Sequence, residues 1–245
     1  MPSEVDDPAN TRDWRDLPGP NWFSGANIYR RFVASVTMPA VAVELGAWKG
    51  RSACCMGAEI ARSGRPIRFF AVDHWQGSAG EAPHEQDEDV RADRLYEIFL
   101  ENIAPLAAFV KPIRSDTVAA AKRFEDGSVD FLYVDASHTY AGVLADLVAW
   151  YPKAKVGGVI AGDDWCFVTN GEREVRAAVL DFFGPDAAHL QLEDGSAPNE
   201  NWTQWSIVKR AGFRAPTISE LSRRRRWTAI KHSSRRLLRK LRRRS

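Results

Sequence analysis

The apolar run FLYV, residues 131–134, breaks off at Asp135, and His138 follows three residues later; further on, VGGVIAG breaks off at Asp163 and Asp164. Carboxylates and an imidazole in such places can hold a cation, accept hydrogen bonds from hydroxyls or move a proton. The plan recurs upstream. VAVEL carries Glu44 at its end ahead of Gly46 and Gly50, IRFFAVD ends on Asp73, and FVKPI stops just before Ser115 and Asp116. Acids also favour helix N-termini through the helix dipole. That accounts for one or two of these placements but poorly for five in succession.

The elements that must position these groups alternate in period. Residues 41–45, 67–73, 109–113, 129–135 and 156–162 read as strands. Between and around them, helices are expected near 22–36, 52–62, 90–102, 117–124, 140–151 and 172–183. Val143, Leu144, Leu147 and Val148, for example, share one helical face. HLQLE and TQWSIVKR resemble a closing pair of strands. This order implies βαβ units and an α/β fold: a doubly wound, mostly parallel seven-stranded sheet with helices on both faces, Rossmann-like. Ligands bind such sheets beyond the carboxyl ends of the strands, near the switch point. The acids therefore converge on one rim. The polar segment 76–88, QGSAGEAPHEQDE, would lie over its mouth as a lid and brings His84 as a further, weaker base candidate.

A dinucleotide site needs G-x-G-x-x-G, so that backbone amides cradle a pyrophosphate. This chain has E-L-G-A-W-K-G, with a carboxylate where a phosphate would be repelled. An anion there suits an ammonium group such as the methionine end of S-adenosylmethionine. Asp73 is placed to accept hydrogen bonds from two ribose hydroxyls. Both points favour a nucleoside cofactor without phosphates.

On VELGAWKGRSA, AVDHW, IRSD, YVDASH and AGDDW, spread over residues 40–165, the chain resembles the class I S-adenosylmethionine-dependent methyltransferases, and among them the metal-dependent enzymes related to catechol O-methyltransferase. The resemblance implies that Glu44, Gly46, Trp48, Gly50 and Ser52 hold the cofactor's amino-acid end and that Asp73 holds its ribose. His74 and Trp75 would flank the adenine, Ser115 and Asp116 would contact it, and Asp135 would border the same pocket. It also implies a divalent cation, Mg²⁺, on Asp135, Asp163 and Asp164. Acids on neighbouring strands about 4.8 Å apart can share one cation, whereas three carboxylates without one repel each other. Hard oxygen ligands favour Mg²⁺ over Zn²⁺. A metal-free pocket with helix-capping acids is the alternative. Where the catechol enzymes carry a lysine base, this chain has His138, which becomes the candidate general base, although a histidine just before a helix is often only a loop residue. The implied reaction is methylation of a hydroxyl on a small molecule, sugar or glycan-linked lipid. A metal-independent or nucleic-acid methyltransferase and a non-catalytic cofactor-binding scaffold are the rival readings. No Asn-Pro-Pro-aromatic motif of amino-group methyltransferases is present.

The formal charge of +2 over 245 residues conceals an asymmetry. Twelve of the 34 Lys and Arg lie from Ser222 onward with no acid among them, which leaves 22 bases against 32 acids in residues 1–221. An acidic body repels phosphate near the site. In the tail, Thr217-x-x-Glu220 resembles a capping box opening a helix. Trp227, Ile230, Leu237, Leu238 and Leu241 then recur near helical spacing among Arg and Lys. Such a basic C-terminal helix suits an anionic membrane surface through residues 223–244; nucleic acid is the less favoured partner, and self-association is left open. Three cysteines, two of them adjacent, and no run of 18 apolar residues point to a reducing cytoplasm, with peripheral attachment at the inner membrane. The expected organisation is a flexible leader, 1–20, a methyltransferase domain, 21–212, and a basic tail, 213–245.

Overall fold

All six residues of β1 (Ala40–Leu45) are buried, as befits a central strand covered on both faces. The computed structural model describes residues 13–78, 81–168, 171–194, 203–221 and 223. β1 pairs in parallel with β2 (Ile67–Asp73) on one side and β4 (Val129–Val134) on the other. β3 (Val110–Arg114) and β5 (Ala154–Gly162) extend the parallel set outward. β7 (Thr203–Val208) then runs antiparallel between β5 and β6 (Gln191–Asp194). The order β3-β2-β1-β4-β5-β7-β6 has the expected seven strands, with the chain reversing its direction of winding between β1 and β4.

The two-residue alternation of the strands divides the core into two layers. Ala42, Phe69, Phe131 and Tyr133 face α1 (Ala26–Ser35), α2 (Arg51–Ser63) and α5 (Leu95–Ile103). Val43, Leu45, Leu132 and Ile160 face α7 (Tyr140–Trp150) and α8 (Glu174–Phe183). By this alternation, Glu44 and Asp135 belong to the first layer, beneath α1.

Three local readings differ from the structure. The helix expected over 90–102 is broken into α4 (Glu88–Arg91) and α5, because Asp93 adopts a left-handed φ of 54°. The loop 76–88 holds a short helix, α3 (Ala82–Gln86). The leader is not loose from residue 13 onward: Trp14 and Leu17 are buried. Arg51 at the start of α2 donates to the carbonyls of Trp14, Arg15, Leu17 and Gly19. The capping box is present, with Glu220 accepting from the Thr217 amide at 2.7 Å. The remainder of the leader and tail, 1–12 and 224–245, lies outside the described residues.

Candidate active site

β1 hands over to α2 through a turn that demands glycine. Gly46 has φ +85°, and a Cβ there would run into the Asp135 carbonyl. The loop amides of Ala47 and Trp48 both donate to Asp73 Oδ2 at 2.9 Å, and the amide of Trp75 donates to Oδ1 at 2.7 Å. Asp73 thus ties the ends of β1 and β2 together. Trp48, Trp75 and Asp164, at the ends of β1, β2 and β5, all have left-handed φ (46°, 56° and 62°). Such strain on non-glycine residues gathers where function over-determines the backbone.

Glu44 is fully buried and receives the Tyr29 hydroxyl at 2.6 Å on Oε1. Its Oε2 is buried with no hydrogen-bond partner among the described residues, as is the Trp48 indole N–H. Burial pushes the Glu44 carboxyl up to about 7, against the opposing pull of the Ser52 and Tyr29 hydroxyls. An unsatisfied carboxylate oxygen at this depth is costly. A cationic donor such as the ammonium of an amino-acid moiety suits it, so the residues fit the cofactor end inferred from the sequence.

Ser115 and Asp116 follow β3 beside Asp73, whose carbonyl accepts from the Ser115 amide at 2.9 Å. The Asp116 side chain caps α6 (Thr117–Ala120). His74 is half exposed, its Nδ1 accepting from the Gln76 amide. The Trp75 indole does not face the mouth. It is buried against Tyr96 and Phe99 and donates to the Trp48 carbonyl at 2.8 Å, so it supports the loop from below.

At the ends of β4 and β5, one ligand atom each from Asp135, His138 and Asp164 lie within 4.8 Å of one another. His138 is clamped. Its Nε2 lies 2.8 Å from Asp164 Oδ2, and its Nδ1 lies 2.9 Å from each oxygen of Glu81. Burial opposes the imidazolium, but the hydrogen bonds and charges of Asp164 and Glu81 outweigh it and hold its pKa well above the ordinary value. Burial and the neighbouring Asp164 and Asp163 drive the Asp135 carboxyl well above the usual range. Asp163 turns the other way. Its Oδ2 accepts from Ser24 at 2.5 Å, and Gln204 in turn donates to Ser24. Burial pushes Asp163 up to about 7. The cluster brought together is therefore two carboxylates and an imidazole, of which the imidazole can ligate only after giving up its proton, with the third expected acid next in sequence but engaged elsewhere. Mutual repulsion among acids is what a divalent cation relieves, so the donor set fits one.

Sequence reading missed Tyr29, Ser24, Gln204, Glu81 and Trp22. Only Tyr29 carried a local signal, on the buried face of an amphipathic helix. Trp22, with 38% of its surface exposed, packs on Trp48 and His84 at 5.5 and 5.4 Å between ring centroids, at the rim.

A family model described as a methyltransferase domain matches residues 43–165, half of the chain and the segment that bears nearly all of this site. The chain belongs to that methyltransferase family. One curated relative, the uncharacterized protein y4gI of Sinorhizobium fredii (strain NBRC 101917 / NGR234), is 30% identical over 126 residues, 51% of this chain; the chain spans 13% of that protein's length. Among solved structures, the fold is similar to that of the O-methyltransferase NovP, with 18% identity, TM-score 0.54 and coverage of 83% of this chain and 89% of that one. It is also similar to cofactor-bound Rv0187 from MTB, with 13% identity, TM-score 0.55 and coverage of 81% and 87%. A Bacillus cereus O-methyltransferase in complex with SAH gives 15% identity, TM-score 0.51 and coverage of 84% and 90%. These likenesses establish the class I methyltransferase fold.

Proposed function

We propose that the protein is an S-adenosylmethionine-dependent O-methyltransferase that methylates a hydroxyl of a small molecule or saccharide, assisted by Mg²⁺. The observation that carries this reading is the buried oxygen of Glu44, unpartnered among the described residues, on the rim shared with Asp135, His138 and Asp164. Similarity to NovP and to the B. cereus O-methyltransferase supports oxygen as the acceptor atom. Glu44 and the loop from Gly46 to Gly50 would hold the cofactor's amino-acid end. Asp73 keeps lone pairs beyond its three backbone hydrogen bonds for a ribose.

When bound, the cofactor supplies an already activated methyl group, and the cation lowers the pKa of an alcohol beside it. The protein must place the acceptor in line and take up its proton. Asp135 and Asp164 would hold the cation, with Asp163 as the adjoining carboxylate. His138 is the proposed base. It keeps its proton here because two carboxylates face it, and engagement of Asp164 with a cation would lower that hold.

Isothermal titration of the protein with S-adenosylhomocysteine tests the cofactor reading. Micromolar binding that Asp73→Ala abolishes is the expected result; no binding by the wild type overturns it. Dialysis against EDTA should abolish turnover, and Mg²⁺ should restore it. Undiminished activity after chelation removes the cation from the scheme.

A further inference from the structure

Glu81 lies in the segment 76–88 expected as a lid, outside the motifs that carry the family resemblance, and it contacts the proposed base at the ring nitrogen opposite the one that faces Asp164. Both of its oxygens stand 2.9 Å from His138 Nδ1, across 57 residues of sequence. The other ring nitrogen is thereby aimed at Asp164. Glu81 and His138 each retain only 18% side-chain exposure, so water competes weakly for this pair.

The segment that carries Glu81 is anchored elsewhere as well. One turn on, His84 stacks on Trp48 with ring centroids 4.2 Å apart and planes at 20°. Beyond it, Asp87 and Asp89 both take Lys49 Nζ at 2.7 Å, with Lys49 and Asp87 largely shielded from water and Asp89 more exposed. Trp48 and Lys49 belong to the loop after β1, the loop assigned to the cofactor. Residues 81–89 therefore grip the cofactor loop with one set of side chains and His138 with another.

We infer that Glu81 is the positioning residue of His138: it fixes the ring so that Nε2 faces the acceptor side, and it does so only while residues 81–89 are docked on the Trp48–Lys49 loop. This rests on the methyltransferase reading for its purpose, but the juxtaposition itself does not. A bond that merely fastened a loop would leave the ring's orientation to other groups. A carboxylate partner on the second imidazole nitrogen is the arrangement that elsewhere sets tautomer and direction.

The test compares wild type, Glu81→Gln and Lys49→Met by NMR of ¹⁵N-histidine-labelled protein, free and saturated with S-adenosylhomocysteine. Wild type should show a slowly exchanging, far-downfield proton on His138 Nδ1. Glu81→Gln should lose it while binding S-adenosylhomocysteine within about threefold of wild type. On any acceptor that wild type methylates, its kcat should fall by about 10–100-fold with KM little changed. Lys49→Met, which leaves Glu81 intact, should weaken the same signal, and it decides the matter should Glu81→Gln not fold. Persistence of the downfield proton in Glu81→Gln, or its absence from wild type, overturns the inference. Failure of wild type to bind S-adenosylhomocysteine would instead count against the proposed function, since the signal in the free protein still reports on Glu81.

Discussion

Asp146 sits in α7 with, among the described residues, only the Thr117 hydroxyl, 2.5 Å from Oδ1, to compensate its burial, and burial raises its carboxyl to about 7. In the unfolded chain the same group ionises near the usual carboxylate value, so between about pH 4 and 7 the folded state binds the extra proton. Stability from this residue is therefore full at low pH and is lost as pH rises through 7. Asp146→Asn should melt like wild type at pH 4 and higher than wild type at pH 8, by roughly 5 °C, in calorimetric scans. Glu44→Gln should weaken S-adenosylhomocysteine about tenfold in the titration described above, because the charge facing the ammonium is lost. At this scale the strand-end acids were legible, since each closes a local apolar run. Their partners were not. Ser24 lies 139 residues from Asp163, and nothing local marks a serine in FSG as the group that turns that acid inward. Trp75 misled for a related reason: adjacency to Asp73 placed it at the rim, whereas its backbone twist turns the ring into the core.

Among the elements, the β1–α2 turn is the most constrained. Gly46→Ala has to strain a φ of +85° and displace the Asp135 backbone, so it should cost about 2–4 kcal/mol and lower the urea midpoint. The four carbonyls gathered by Arg51 make α2 the anchor of residues 13–20. Arg51→Met should open that stretch to limited proteolysis, with little change in the sheet's far-ultraviolet dichroism. The five parallel strands and the closing antiparallel pair were readable because a doubly covered sheet imposes long apolar runs. The break between α4 and α5 was not, because Asp93 keeps the helical pattern of its neighbours while leaving the helical backbone conformation. The leader likewise reads as polar, yet Trp14 and Leu17 are buried in the core and Arg51, further along the chain, binds its carbonyls.

Over the whole molecule, the charge is divided between an acidic body and a basic C-terminal stretch. No helix among the described residues is long and apolar enough to cross a membrane. Residues 223–244 are proposed to bind anionic lipid surfaces. Full-length protein should sediment with phosphatidylserine-rich vesicles and not with neutral ones, and removal of residues 224–245 should abolish sedimentation without lowering S-adenosylhomocysteine binding. Equal pelleting with both lipids would end that proposal. β7 runs against β5, with Thr203 near the site and Val208 at the opposite end, where Lys209 bonds to Gly158 and to the Tyr151 carbonyl. Past β7 the chain stays on the body: Phe213 packs against Tyr151, Phe182 and Phe183, and Leu221 is fully buried in the layer of α7 and α8. The proposed lipid contact would therefore start from chain that is pinned to the α7–α8 layer as far as Leu221, so that a docked surface would be held close to the body rather than at the end of a long leash.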